Sequence, residues 1–322
     1  MRKIGVDSGE QRRSASQTAP ASSKSNEPSD VSSYSSAYGP AIHLADLEDQ
    51  NVAESSGIAS SRTSPNYFWT HNDSGDGAFI YAFDGRGRKR GVWQVKGAKA
   101  RDWEDIAVGP GQLVSQQAEA RRGSYLYVGD IGDNGQSRTQ IVIYRFAEPA
   151  IAPGDAASTK AKPRTTEQAE TIRLRYPDGR HDAEALLVHP ISGDVYIVTK
   201  KAFARAAIYK AAAPLNPERT QTLERLGQLS IPSPLGGMIT GGSISPDGRR
   251  VVLCDYGFAY EWIAPAGGSS RFDDVWKQQP TVLAVGPRQQ GEAICYSADG
   301  EALLMTSEKL PTPLYKVQRK RR

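Results

Sequence analysis

One unit recurs along this chain and limits what it can fold into: two polar or acidic positions, two residues apart, running into an aliphatic stretch. It reads Glu54-Ser55-Ser56-Gly57-Ile58, Asp102-Trp103-Glu104-Asp105-Ile106, Asp182-Ala183-Glu184-Ala185-Leu186 and Gln290-Gly291-Glu292-Ala293-Ile294. A weaker copy, Met238-Ile239-Thr240-Gly241-Gly242, falls between the last two. It aligns through a shared turn, Ser245-Pro246-Asp247-Gly248 against Ser297-Ala298-Asp299-Gly300. Apart from one longer gap the copies lie about 50 residues apart, a period typical of arrays in which each repeat is one supersecondary unit stacked on the next.

A turn follows each unit, and then a second apolar segment: Tyr67-Thr70, Tyr125-Val128, Val195-Val198, Val251-Cys254 and Ala302-Met305. A third segment, with an aromatic, covers Ile80-Phe83, Ile143-Phe146, Ile208-Lys210, Tyr260-Ile263 and Leu314-Val317. A fourth follows in all repeats but the last: Val92-Val95, Ile172-Arg175, Leu226-Leu229 and Val282-Val285. Short strands separated by Pro-Asp-Gly and Ala-Asp-Gly turns are the signature of tight hairpins. Four-stranded units around an axis are propeller blades, so the chain is expected to be all-β and five-bladed. The missing strand of the last blade is expected from Ile42-Ala45, which closes the ring and protects its edges. A six-bladed alternative would need a blade hidden in the Pro- and Ala-rich insert of residues 147–168, which otherwise reads as a surface connection. The alanine-rich stretch 202–213 reads as a strand pair around Arg205.

The domain plan is then a Ser/Ala/Pro-rich tail over residues 1–40, expected to be disordered for want of apolar surface, the propeller over 41–318, and a basic tail over 319–322. Hydrophobic residues make up 38% of the 322 and charged residues 24%, and no apolar run approaches the length of a membrane span. A net charge of +4, much of it in the C-terminal tail, leaves no nucleic-acid footprint. Cys254 and Cys295 lie in apolar runs without zinc spacing and are expected as buried thiols, with a single bridge as the alternative. Met1-Arg2-Lys3-Ile4-Gly5-Val6-Asp7 meets charge at once, unlike a signal peptide. Either the protein stays inside, or the precursor begins elsewhere.

Antiparallel pairing brings the end of each second strand beside the start of its inner strand, so ten polar segments converge on one mouth of the channel. The expected metal ligands there are Glu54, Asp73, Asp102, Glu104, Asp130, Asp133, Asp182, Glu184 and Glu292, with Asp255 and Glu308 nearby. So many carboxylates in one desolvated ring repel strongly. Lys200 and His71 offset part of that charge, and a hard, oxygen-seeking cation such as Ca²⁺ is expected to balance the rest. The competing reading has these acids capping strands and accepting backbone N–H groups of the next blade. Hydrolytic motifs such as Gly-x-Ser-x-Gly and His-Glu-x-x-His are absent. A metal-dependent hydrolase of phosphate esters or lactones would draw its proton acceptor from Glu104, Glu184 or His71. His43 and His189 read as structural, and Trp69, Trp93, Trp103 and Trp262 as packing between blades.

The runs Trp69-Thr70-His71-Asn72-Asp73-Ser74-Gly75, Asp102-Trp103-Glu104-Asp105-Ile106-Ala107 and Tyr127-Val128-Gly129-Asp130-Ile131-Gly132-Asp133-Asn134 resemble a group of uncharacterised bacterial β-propeller proteins. More loosely they are similar to the SdiA-regulated and esterase-like phytase propellers. The resemblance covers most of residues 41–318. It implies export from the cytoplasm, calcium binding in some members, and channel-facing acids at Glu54, Asp102, Glu104, Asp182, Glu184 and Glu292. The fourth repeat departs, with Met238 and Thr240 in place of acids. The leading expectation is a monomeric propeller that binds a cation, with a small polar or a protein ligand at the acidic mouth.

Overall fold

Five four-stranded antiparallel sheets follow one another in the computed structural model, which describes residues 35–111 and 123–320. Blade 1 is built, from the axis outward, of Ser55–Ser60, Tyr67–Asn72, Phe79–Asp84 and Lys89–Gln94. Blade 2 follows with Trp103–Pro110, Ser124–Asp130, Ile141–Ala147 and Glu170–Arg175. Blade 3 has Ala183–Val188, Val195–Thr199, Ala207–Ala211 and Glu224–Gln228, and blade 4 has Gly241–Ile244, Arg250–Cys254, Phe258–Ile263 and Thr281–Ala284. Blade 5 takes Gly291–Tyr296, Ala302–Ser307 and Pro313–Arg319 from the end of the chain and Tyr38–Asp46 from its beginning.

That last pairing closes the ring. Tyr38 stands opposite Arg319, Ile42 opposite Lys316 and Asp46 opposite Pro313. The strand starts at Tyr38, inside the segment read as tail, and its partner runs to Arg319; the Lys320 N–H still donates to Ala37 O at 2.8 Å. Residues 1–34, most of the expected tail, lie outside the described residues. Blade 5 is also latched to blade 4, because the Tyr38 and Tyr296 hydroxyls both donate to the buried Glu261 carboxylate, at 2.6 and 2.8 Å.

The six-bladed alternative falls with the insert. Residues 148–169 hold a short 3-10 turn, Pro153–Ala157, and the two-residue strand Arg164–Thr165, which runs parallel to the outer edge of blade 1. Gln221–Thr222 covers the outer edge of blade 2 in the same way. Both additions cap strands that would otherwise expose unpaired backbone groups. The stretch expected as a strand pair around Arg205 is also different. Lys201–Ala202 pairs with Gly236–Gly237, whereas Ala207–Ala211 is the third strand of blade 3.

Inner strands crowd around the axis, and their small residues make that possible. A β-carbon on Gly57 would stand 2.7 Å from Ile106 N and 2.9 Å from Asp105 Cα, so a side chain there would push blades 1 and 2 apart. Between these two blades lies an apolar layer containing Trp69, Trp93, Trp103, Val128 and Phe146, with Trp69 and Trp93 edge to face at 5.1 Å. Trp262 is buried with Tyr196, Tyr260 and Phe272 in the layer between blades 3 and 4. The tryptophans are thus core residues, and each fully buried large apolar side chain contributes about 1.5–3 kcal/mol. Cys254 and Cys295 are both buried and free.

Candidate metal centre

The acids reach the mouth through a repeated backbone irregularity. In blades 1, 2, 3 and 5 the register between the inner and second strands slips near the start, between Ser55 and Gly57, Trp103 and Asp105, Ala183 and Ala185, and Gly291 and Ala293. The extra residue in each bulge is Ser56, Glu104, Glu184 or Glu292. Blade 4 pairs from Gly241 to Ile244 without a slip, and carries no acid there. A bulge re-aims the side chain it carries, so the bulges, and not simple strand alternation, place Glu104, Glu184 and Glu292.

Three carboxylates converge. Asp73, Asp102 and Glu104 each offer an oxygen, all within 4.8 Å of one another. Asp73 follows the second strand of blade 1, where its N–H donates to Glu54 O at 3.0 Å. Asp102 enters the inner strand of blade 2, and its carbonyl accepts the Gly132 N–H at 3.2 Å. Asp73 and Asp102 are half-buried and Glu104 is buried.

The cost of this arrangement shows in the ionisation of the acids. Burial, then the charges of Asp73 and Asp182, push Asp102 up to about 6. Glu104 is raised well above the usual carboxylate range by burial and then by Glu184, Asp73, Asp102 and Asp182. Asp73 is also raised, chiefly by burial, with Asp182 adding to it. In blade 5, next to blade 1 in the ring, Glu308 is pushed to about 7 by burial, Glu292, Asp73 and Glu54. Burial likewise raises Glu292 and Glu184, although Lys200 opposes the shift in both. Lys200 forms an ion pair with Glu184 Oε1 and lies over the Tyr256 ring at 5.1 Å. Burial works against its ammonium, but Glu184 and Glu292 outweigh that and keep it charged. The other carboxylate oxygen, Glu184 Oε2, is buried without a hydrogen-bond partner.

Other expected ligands have partners of their own. Asp130 forms an ion pair with Arg138 at 2.7 Å. Asp133 accepts the N–H groups of Ser137 and Arg138, both at 2.8 Å, and so shapes its loop. Asp182 accepts the Asp133 N–H at 2.8 Å, joining blades 2 and 3. Glu54 is exposed. Asp255 accepts from Ser233, Gly257, Phe258 and Tyr260 at 2.7–2.9 Å. Among the candidate proton acceptors, Glu104 and Glu184 lie at the mouth. His71 is sealed behind it, with Nδ1 donating to Asn72 O at 2.8 Å and the ring edge to face with Trp103 at 5.7 Å. Burial pushes its pKa down to about 4, so the imidazole is neutral.

Asp105 is the functional-looking acid that sequence reasoning passed over. Its carboxylate is fully buried and accepts N–H groups from Ile106 at 2.8 Å, Leu186 at 3.0 Å and Gly242 at 3.3 Å. It ties the inner strands of blades 2, 3 and 4, the role that the capping alternative assigned to acids in general. Its signal was available: an aspartate stands where the other repeats carry Gly57, Ala185 and Ala293.

The triad suits a hard cation. All its donors are carboxylate oxygens, and among the described residues no Lys or Arg forms an ion pair with Asp73, Asp102 or Glu104. Gly132 leaves the room they occupy, since a β-carbon there would stand 2.5 Å from Asp102 Oδ2 and overlap Glu104 Oε1. No protein-family model matches the chain, and no curated protein matches it.

Proposed function

We propose that the propeller is a scaffold that binds one divalent cation, calcium, at Asp73, Asp102 and Glu104, and presents it to a small polar or protein ligand at the channel mouth. The observation that carries this reading is the convergence of three carboxylate oxygens within 4.8 Å with no basic side chain paired to them among the described residues. Such a group is costly by itself and favourable around a cation. Calcium is the choice among hard cations because it takes six to eight oxygens in irregular geometry, roughly, and this set is asymmetric, drawn from two adjacent blades. The exported propellers that the chain resembles are in keeping with calcium and with a place outside the cytoplasm.

Thermal melting with millimolar CaCl₂ and with EGTA tests the proposal. Binding at a concentration one hundred times Kd adds about 2.7 kcal/mol, which for a domain of this size raises Tm by roughly 4 °C. Asp102→Asn should raise the cation-free Tm, because it removes repulsion, while losing the calcium increment. Failure of Ca²⁺, Mg²⁺, Mn²⁺ and Zn²⁺ alike to move Tm would overturn the reading.

A further inference from the structure

Of the six asparagines in the chain, only Asn134 precedes a glycine. It sits at the tip of the loop between the second and third strands of blade 2, where residues 134–137 are all exposed. Hydrogen bonds close the base of this loop. Gln136 N–H donates to Asp133 O at 2.7 Å, and the Ser137 and Arg138 N–H groups donate to the Asp133 carboxylate, both at 2.8 Å. Gly135 is left out of this pattern. Among the described residues its N–H reaches no acceptor, the Asn134 carboxamide has no partner, and a β-carbon on Gly135 would meet nothing within 4 Å. An amide side chain and an unbonded backbone nitrogen thus stand side by side at an exposed loop tip, where glycine gives the chain its greatest conformational freedom.

The other described asparagines are kept from the same arrangement. The nitrogen that follows Asn51 donates to Asp49 O at 3.0 Å, the one after Asn66 to Ser64 O at 3.2 Å, and the one after Asn72 to Glu54 O at 3.0 Å. Asn216 precedes Pro217, which has no N–H to give up. Asn72 is also buried, with its amide donating to Asn51 O and accepting the Glu54 N–H. A hydrogen-bonded nitrogen is fixed in its turn or ladder, and bringing it onto the preceding side chain forfeits that bond. The side chains of Val52, Tyr67 and Asp73 crowd the approach as well, whereas Gly135 has none.

We infer that Asn134 is a site of self-modification, at which the Gly135 nitrogen closes on the Asn134 side chain and converts it to isoaspartate and aspartate. In the first step the Gly135 nitrogen bonds to Asn134 Cγ, the bond from Cγ to the amide nitrogen breaks, and ammonia leaves carrying the Gly135 proton. Water then opens the succinimide. Opening at the main-chain carbonyl routes the chain through Cβ and Cγ and leaves isoaspartate, and opening at Cγ leaves aspartate. The consequence reaches inward. Isoaspartate adds one methylene to the main chain inside the turn closed by Gln136 N–H and Asp133 O, so that this bond and those from Ser137 and Arg138 do not all persist. Arg138 is the residue at stake, because its guanidinium pairs with Asp130 at 2.7 Å and donates to Gly132 O at 2.8 Å and Asp130 O at 2.9 Å.

The test is to age the full chain in warm, mildly alkaline buffer and map its digest by mass spectrometry, with isoaspartate scored by a protein isoaspartate methyltransferase and S-adenosylmethionine. Asn134 should convert at least tenfold faster than Asn51, Asn66 or Asn72, with isoaspartate among the products. Gly135→Ala should slow the conversion at least tenfold and leave Tm unchanged, because φ at Gly135 is not in the left-handed range and the added methyl group meets nothing. Aged wild-type protein, and not aged Gly135→Ala, should exchange the Ser137 and Arg138 amide protons faster than fresh protein. The inference is overturned if Asn134 converts no faster than the other three, or if Gly135→Ala ages at the wild-type rate. Aspartate formed without isoaspartate would mean direct hydrolysis and also overturns it. Unchanged exchange at Ser137 and Arg138 in the isoaspartate form would overturn the effect on Arg138. None of these readouts involves a cation, so this inference and the calcium proposal fail separately.

Discussion

Gly132 lies directly against the Asp102 carboxylate, so that a β-carbon on it would stand 2.5 Å from Oδ2 and 2.6 Å from Cγ. Its φ is not in the left-handed range, so alanine is acceptable to the backbone and only the space is in question. Gly132→Ala is expected to splay Asp102 from Glu104. It should destabilise the protein by about 1–3 kcal/mol, as overpacking does, and weaken calcium binding at least tenfold. Calorimetric titration beside a chemical melt measures both. Wild-type affinity in the variant would show that the two carboxylates do not act together.

The pH dependence of stability should run opposite to that of most proteins between about pH 4 and 7. Asp102 and Glu308 have folded pKa values near 6 and 7, raised above their ordinary values mainly by burial and then by neighbouring acids. A raised carboxyl binds more protons in the folded than in the unfolded state. Its stabilising contribution is complete below the unfolded pKa and is lost as pH rises through the folded pKa. Cation-free protein is therefore expected to melt lower at pH 7.5 than at pH 5. The calcium increment should be larger at pH 7.5, where fewer protons compete. A Tm in EGTA that climbs from pH 5 to 7.5 would contradict this assignment.

The ring was legible because its evidence repeats. Five copies of one strand-turn-strand pattern identify blades even where a single copy, such as Met238-Thr240, is weak, and ring closure follows from a last repeat that lacks its outer strand. The mouth was legible only as a set of acids. Asp102 and Glu104 were paired by assuming alternation, whereas a bulge at Glu104 positions the second of them. Asp130 and Asp133 read as ligands because nothing local announces that Arg138, five to eight residues on, supplies their partners. Asp105 was overlooked for a related reason: its donors, Leu186 and Gly242, belong to two other repeats. Local periodicity reveals strands, but the partner of a buried charge is decided by which blades meet at the axis.

One phenol should strengthen the closed ring. Tyr38 brings a hydroxyl from the first strand to Glu261 in blade 4, and Glu261 also receives Tyr296. Tyr38→Phe keeps the ring and its packing and removes only the hydroxyl. Hydrogen bonds to charged groups are worth about 1.5–3 kcal/mol. The denaturant midpoint should fall accordingly, with no change in the slope that reports exposed surface. A midpoint within error of wild type would mean that the strand pairing with Pro313–Arg319 closes the ring unaided.

Asp105→Asn offers the sharpest separation between structural and ligand-binding acids. Asp105 Oδ1 accepts from Ile106, and Oδ2 accepts from Leu186 and Gly242, so both oxygens face N–H donors. An amide retains one acceptor and turns its NH₂ toward donors on the other side. Each buried N–H left unpaired costs about 1–3 kcal/mol, and rotating the amide only exchanges which donors are lost. Asp105→Asn should therefore lower stability by about 1–6 kcal/mol as one or two donors go unpaired, although burial already holds the Asp105 carboxyl well above its ordinary pKa. Asp102→Asn, only three residues earlier, should stabilise the cation-free protein. Urea unfolding of the two variants side by side measures the contrast. If both shift the midpoint in the same direction, the division between an acid that stitches blades and an acid that awaits a cation is wrong.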